Sequence, residues 1–116
     1  MRVLLVEDDA LVRMFAAEAL TDEGFQVVEA ASGDEALKAC AEGAPDVLFT
    51  DIRLPGTLTG WDIAERCRET HPEMPVIYAT GFSHIVPRPV ANSVCLQKPY
   101  KAEQVAKLIR NLTRSV

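Results

Sequence analysis

The chain predicts an α/β fold in which a parallel sheet of five strands is covered by helices on both faces. Three observations carry that prediction. Short apolar runs rich in branched residues alternate with amphipathic stretches. Glycine or proline marks most of the junctions between them. Polar residues (Glu7-Asp8-Asp9, Asp51, Thr80 and Lys98) each stand at the carboxyl end of an apolar run, where open parallel sheets build their sites.

Arg2-Val3-Leu4-Leu5-Val6 reads as a strand buried on both faces. Asp8 and Asp9 can cap the helix that follows over 10–23, an amphipathic stretch containing Leu11, Phe15, Ala19 and Asp22. Gly24 ends it, because a residue without a side chain takes the left-handed conformation at little cost. Phe25–Ala30 is the second strand. Ser32 and Glu35 form a capping box for a helix whose Ala36, Leu37 and Cys40 share a face, and Pro45 forbids its continuation. Asp46–Thr50 is the third strand, with Asp51 the first residue past it. Ile52–Thr59 is a loop, Thr59 and Asp62 open a helix with Trp61, Ile63, Ala64 and Cys67 toward the sheet, and His71-Pro72 closes it.

Pro75–Ala79 and Ser93–Gln97 are the fourth and fifth strands. Between them, Pro87 and Pro89 disrupt helical hydrogen bonding, so a short, irregular or missing fourth helix is expected within 81–93. The last helix carries Val105, Leu108, Ile109 and Leu112 at i, i+3, i+4 and i+7, with Lys107, Arg110 and Arg114 opposite. Right-handed crossovers and the strand order 2-1-3-4-5 close a flavodoxin-like three-layer sandwich, with strands 1 and 3 side by side.

The 116 residues suit one domain able to bury about two-thirds of its unfolded surface. With 48% apolar and 25% charged residues, the composition is that of an ordinary globular protein. A net charge of -5 and the lack of a basic cluster argue against nucleic acid as a partner. The charge is uneven: residues 1–62 net -9 and residues 63–116 net +4. No apolar stretch approaches the length of a membrane span, and no signal peptide is evident. Cys40, Cys67 and Cys95 are expected to be reduced and structural, which suits a cytoplasmic location. The leading Met1 favours a stand-alone domain over a piece of a larger kinase.

Gathering Asp8, Asp9 and Asp51 at one sheet edge crowds their charges. Two unit charges about 4 Å apart repel by roughly 4 kcal/mol at an effective dielectric near 20. A divalent cation relieves this, and ligands that are all oxygen favour Mg²⁺, with Mn²⁺ as the substitute, over zinc. Asp51, in the middle of the edge, is the candidate nucleophile for phosphoryl transfer. The Lys98 ammonium and the Thr80 hydroxyl can meet the phosphoryl oxygens, and backbone N–H groups of Ile52, Arg53 and Gly81 can complete the cradle. His71 and His84 read as surface residues rather than catalytic bases.

The acidic pair Asp8 and Asp9, phosphoacceptor Asp51, hydroxyl Thr80 and Lys98-Pro99, together with Leu54-Pro55 and Gly60, resemble the receiver domain of two-component response regulators. The resemblance runs from about residue 2 to residue 113. It implies a CheY-like fold and acceptance of a phosphoryl group from a histidine kinase or a histidine phosphotransfer protein. It implies a metal held by Asp8, Asp9, Asp51 and the Arg53 backbone carbonyl, slow self-catalysed dephosphorylation, and no metabolic enzyme activity. It also implies an output face made of the fourth-helix region, the fifth strand and the last helix, where an unidentified downstream protein binds. Cys95 departs from the pattern, standing where a receiver usually has a Tyr or Phe that rotates inward. The stretch Tyr78-Ala79-Thr80-Gly81-Phe82 is similar to an atypical subgroup marked by Phe-Ala-Thr-Gly-aliphatic-Tyr, thought to switch by ordering of a loop.

Two other functions compete. A receiver-like interaction module that is never phosphorylated would not need Asp8, Asp9, Asp51, Thr80 and Lys98 together. A small flavin-binding redox protein of the same fold would need a Ser/Thr-rich phosphate loop after the first strand, and there is none.

Overall fold

The computed structural model of the chain describes residues 1–43, 45–81 and 88–113. In order, the elements are β1 (Arg2–Val6), α1 (Ala10–Asp22), β2 (Gln26–Ala30), α2 (Gly33–Glu42), β3 (Val47–Asp51), α3 (Gly60–Thr70), β4 (Val76–Thr80), β5 (Ser93–Gln97) and α4 (Ala102–Thr113). The five strands are all parallel, in the order β2-β1-β3-β4-β5, as the sequence predicts. β3 runs one residue further than expected, because the Ile52 N–H donates to the Ala79 carbonyl at 3.1 Å and continues the ladder past Asp51.

Alternation along the strands builds two cores. Val3, Leu5, Val47, Phe49, Ile77 and Ala79 pack against α1 and α4, while Leu4, Val6, Leu48, Val76 and Tyr78 pack against α2 and α3. The helix ends follow local chemistry. The Asp9 side chain accepts from the Leu11 and Val12 amides, Ser32 accepts from the Glu35 amide, and Thr59 with Asp62 completes a capping box.

Three expectations need comment. The buried face of α1 is Ala16, Ala17 and Leu20, whereas Leu11 and Phe15 are 58% and 60% exposed. Small alanines let the helix backbone approach the sheet, and that close packing turns the larger side chains outward. The irregular crossover expected after β4 falls mostly on 82–87, which include His84 and lie outside the described residues. None of the described residues between β4 and β5 is helical. Residues beyond Pro87 are held to α3 and β4: Arg68 donates to the Ala91 and Asn92 carbonyls, and the Val90 N–H donates to the Tyr78 hydroxyl.

The cysteines are a correction. Cys40 and Cys67 form a disulfide between α2 and α3, with Cα atoms 6.2 Å apart, and Cys95 is free and exposed. Both helices turn their apolar stripes to the same face of the sheet, so residues 27 apart in sequence meet. Chain-entropy reasoning assigns a loop of that length about 3–4 kcal/mol of stabilisation. Thiol titration of unfolded, non-reduced protein is therefore expected to find one reactive thiol per chain, and the reduced form is expected to melt at lower temperature. Three titratable thiols before reduction would contradict the pairing.

Candidate functional site

The site grows out of β1 and β3, which lie side by side in the interior of the sheet. On β1, Val3 and Leu5 point to one layer and Leu4 and Val6 to the other. Just past this strand stands Glu7, only 3% exposed, and after it the chain bends at Asp8. Asp51 ends β3 and is 7% exposed. Register sets Val6 beside Thr50 and Asp51 beside Ala79, so the chain ends of three strands open onto the same edge. The Lys98 N–H donates to the Thr80 carbonyl at 2.8 Å, which brings the start of the β5–α4 connection to that edge as well.

Charge then organises the floor. The Lys98 ammonium lies 2.8 Å from Asp51 Oδ1 and 3.0 Å from Glu7 Oε1. Glu7 Oε2 accepts from the Asp9 amide at 3.1 Å. One carboxylate oxygen from each of Glu7, Asp8 and Asp51 lies within 4.8 Å of the others. Burial, and then the hydrogen bond to Glu7, push the Asp51 carboxyl up to about 7. For Glu7, burial acts upward, but hydrogen bonds from Asp51, the Asp9 amide and Lys98 outweigh it and hold this carboxyl below its ordinary value. Burial works against the Lys98 charge, yet Asp51 and Glu7 together raise that ammonium to about 12. Burial and the nearby Glu7 charge push the Tyr100 phenol up to about 12.

A cavity of about 310 Å³ opens above these groups, lined by Asp8, Asp9, Asp51, Arg53, Thr80, Gly81 and Lys98 together with Glu7, Val12 and Ala79. Seven residues given a site role from the sequence thus share one pocket, with Glu7 beside them. The acidic cluster, however, is Glu7, Asp8 and Asp51. The Asp9 Oδ1 is occupied in capping α1. Ile52 does not line the cavity, and its N–H, expected in an anion cradle, is committed to the Ala79 carbonyl. Pro55 is exposed in the β3–α3 loop, and Lys98-Pro99 is a cis peptide. Cys95 sits beside Tyr78 in the β4–β5 register, away from the cavity lining. The His71 ring nitrogen lies 3.2 Å from the Cys40 carbonyl, a structural contact. Sequence reasoning named Glu7 at the strand end without giving it a role, and it missed Tyr100. The available signal for Glu7 was an acid immediately after a strand buried on both faces.

The family description for the response regulator receiver domain matches residues 3–110. The chain belongs to the response regulator receiver family. It is 35% identical over 95% of its length to the sensor kinase CckA of Brucella abortus, of which it spans 12%. It spans 51% of the response regulator MprA of Mycobacterium leprae, at 31% identity over 98% of this chain. Among solved structures, a receiver protein from Sinorhizobium medicae superposes with a TM-score of 0.91 at 32% identity, covering 97% of this chain and 94% of that one. The regulator TrrA of Thermotoga maritima, solved in complex with Mg(2+)-BeF, superposes at 0.82 with 27% identity, covering 96% and 97%.

In this receiver domain α3 starts directly against the site. The Gly60 N–H donates to the Ile52 carbonyl at 2.8 Å, and a Cβ on Gly60 would lie 2.2 Å from the Asp51 carbonyl oxygen. Gly60→Ala must displace either the start of α3 or the backbone of Asp51. The expected result is a loss of about 1–3 kcal/mol in denaturant unfolding, with amide shifts concentrated at 51–60. An unchanged midpoint would show that the loop gives way freely.

Proposed function

We propose that this chain accepts a phosphoryl group on Asp51 from a phosphohistidine of a kinase or phosphotransfer protein. The observation that carries the reading is Asp51 itself: a buried carboxylate facing a cavity, paired to a lysine and grouped with two further acids. The Asp51 oxygen attacks phosphorus, a P–O bond forms, the P–N bond to the donor imidazole breaks, and its electron pair stays on the nitrogen. The all-oxygen donor set of Glu7, Asp8 and Asp51, with the Arg53 carbonyl, fits Mg²⁺ or Mn²⁺. Such a cation, when bound, supplies charge neutralisation of the phosphoryl oxygens. Asp9, at the cavity lip, would act beside the cluster rather than within it. Lys98 pairs with the transferred group from the other side, and the Thr80 hydroxyl and Gly81 amide would receive it at the end of β4.

The donor protein has a surface to meet. Leu11, Val12, Met14 and Phe15 of α1 are exposed, and beside Val12 and Phe15 a groove of about 650 Å³ runs to Lys98, Pro99 and Tyr100, at the rim of the site. Output would pass through the β4–β5 crossover, β5 and α4. Ala79-Thr80-Gly81 at the end of β4 supports a place in the atypical subgroup thought to switch by ordering of a loop, with Tyr78 standing where that subgroup has Phe. Incubation with Mg²⁺ and acetyl phosphate is expected to add one phosphoryl group by intact mass. Chelator or Asp51→Asn should abolish it. Labelling that persists in Asp51→Asn would remove that residue from the role.

A further inference from the structure

Glu7 and Asp8 are neighbours in sequence, and both send carboxylates to one cluster. An extended strand cannot do this, because successive side chains point to opposite faces. The chain therefore leaves strand geometry after Val6, with a bend at Asp8. That departure changes what the Glu7 backbone bonds to. Its N–H still follows the sheet, donating to the Ala30 carbonyl at 3.0 Å. Its carbonyl instead accepts from Arg13 Nη1 at 2.8 Å. A buried carbonyl turned away from its ladder needs such a donor, and a charged donor makes a stronger bond.

Arg13 is itself fixed from two sides. Its backbone N–H donates to the Asp9 carbonyl at 2.9 Å, one turn into α1. Its Nε lies 3.3 Å from Glu29 Oε1 on β2, and the Arg13 side chain is only 21% exposed. One guanidinium thus ties α1, the end of β1 and the edge strand to a single peptide group, the one joining Glu7 to Asp8. We propose that Arg13 is a positioning residue for the acidic cluster: by holding the Glu7 carbonyl, it sets the bend that aims both carboxylates at the cation. The inference rests on the phosphoacceptor reading, and it assigns to Arg13 a task separate from any contact with phosphate. The sign of the effect distinguishes it from simple electrostatics. A guanidinium acting only as a nearby positive charge would repel the cation, and its loss would tighten binding. As a positioning group, its loss weakens binding.

The test is a Mg²⁺ titration of the full chain, followed by calorimetry and by the amide resonances of Asp8 and Asp9. It compares the unmodified protein with Arg13→Leu and Arg13→Lys, with a melting temperature for each. Arg13→Leu keeps the aliphatic packing and removes the donor; its Mg²⁺ affinity should fall by about 10- to 100-fold, the range for groups that orient metal ligands. Arg13→Lys, which can still donate to the carbonyl, should recover most of that loss. Unchanged or tighter binding in Arg13→Leu overturns the proposal, whatever its melting temperature. If Arg13→Leu does not fold, Arg13→Met takes its place: its unbranched stem fills the same space without a donor, so weaker binding supports the role and unchanged or tighter binding refutes it. Absence of Mg²⁺ binding by the unmodified protein would overturn the phosphoacceptor reading and this inference with it, whereas binding there with an insensitive Arg13→Leu overturns the inference alone.

Discussion

Two buried carboxylates share one ammonium at the edge of this sheet. Glu7 and Asp51 are nearly inaccessible, yet both lie within 3.0 Å of Lys98, a residue from the far end of the chain. Buried charges of like sign are tolerated only with compensation, and here one lysine is divided between two acids with a third, Asp8, close by. The balance is incomplete. Burial and then the hydrogen bond to Glu7 raise the Asp51 carboxyl, while hydrogen bonds from Asp51, the Asp9 amide and Lys98 outweigh burial and lower that of Glu7. Such a cluster of oxygen donors could hold a divalent cation.

The rest of the fold keeps that cluster assembled. Parallel pairing of β1, β3 and β4 sets three strand ends level, and the Lys98 amide bonded to the Thr80 carbonyl brings in the connection to α4. The loop after Asp51 has little freedom at its far end, because Gly60 lies against the Asp51 carbonyl and bonds to Ile52. Below, α2 and α3 are joined through Cys40 and Cys67. Asp51 is thus carried on a firm base, while the face above it opens to solvent between α1 and the ends of β4 and β5.

This arrangement links the cavity to the β4–β5 crossover and α3 over a short path. Thr80 and Lys98 are linked through their backbones, and both line the cavity that holds Asp51. Tyr78, two residues before Thr80, fills the layer against Trp61 and accepts a hydrogen bond from Val90. Arg88 pairs with Asp62 and Glu65 near the start of α3. Displacement at the end of β4 would therefore be felt both in the crossover and in α3.

Much of this was legible in the amino-acid order. Alternation of apolar runs with capped amphipathic stretches determined the elements, since period and caps are local properties: Ser32 with Glu35 and Thr59 with Asp62 mark their helix starts as read. Placement of Asp51, Thr80 and Lys98 at strand ends followed once the sheet was parallel. Distance and burial were not legible, because they depend on how layers approach. Only packing showed that alanines, not Leu11 and Phe15, seat α1, and only the shared face of α2 and α3 brought Cys40 to Cys67. The acidic cluster illustrates the limit most clearly. Three consecutive acids are equivalent on paper, yet in the structure Glu7 and Asp8 reach the cluster while Asp9 caps a helix.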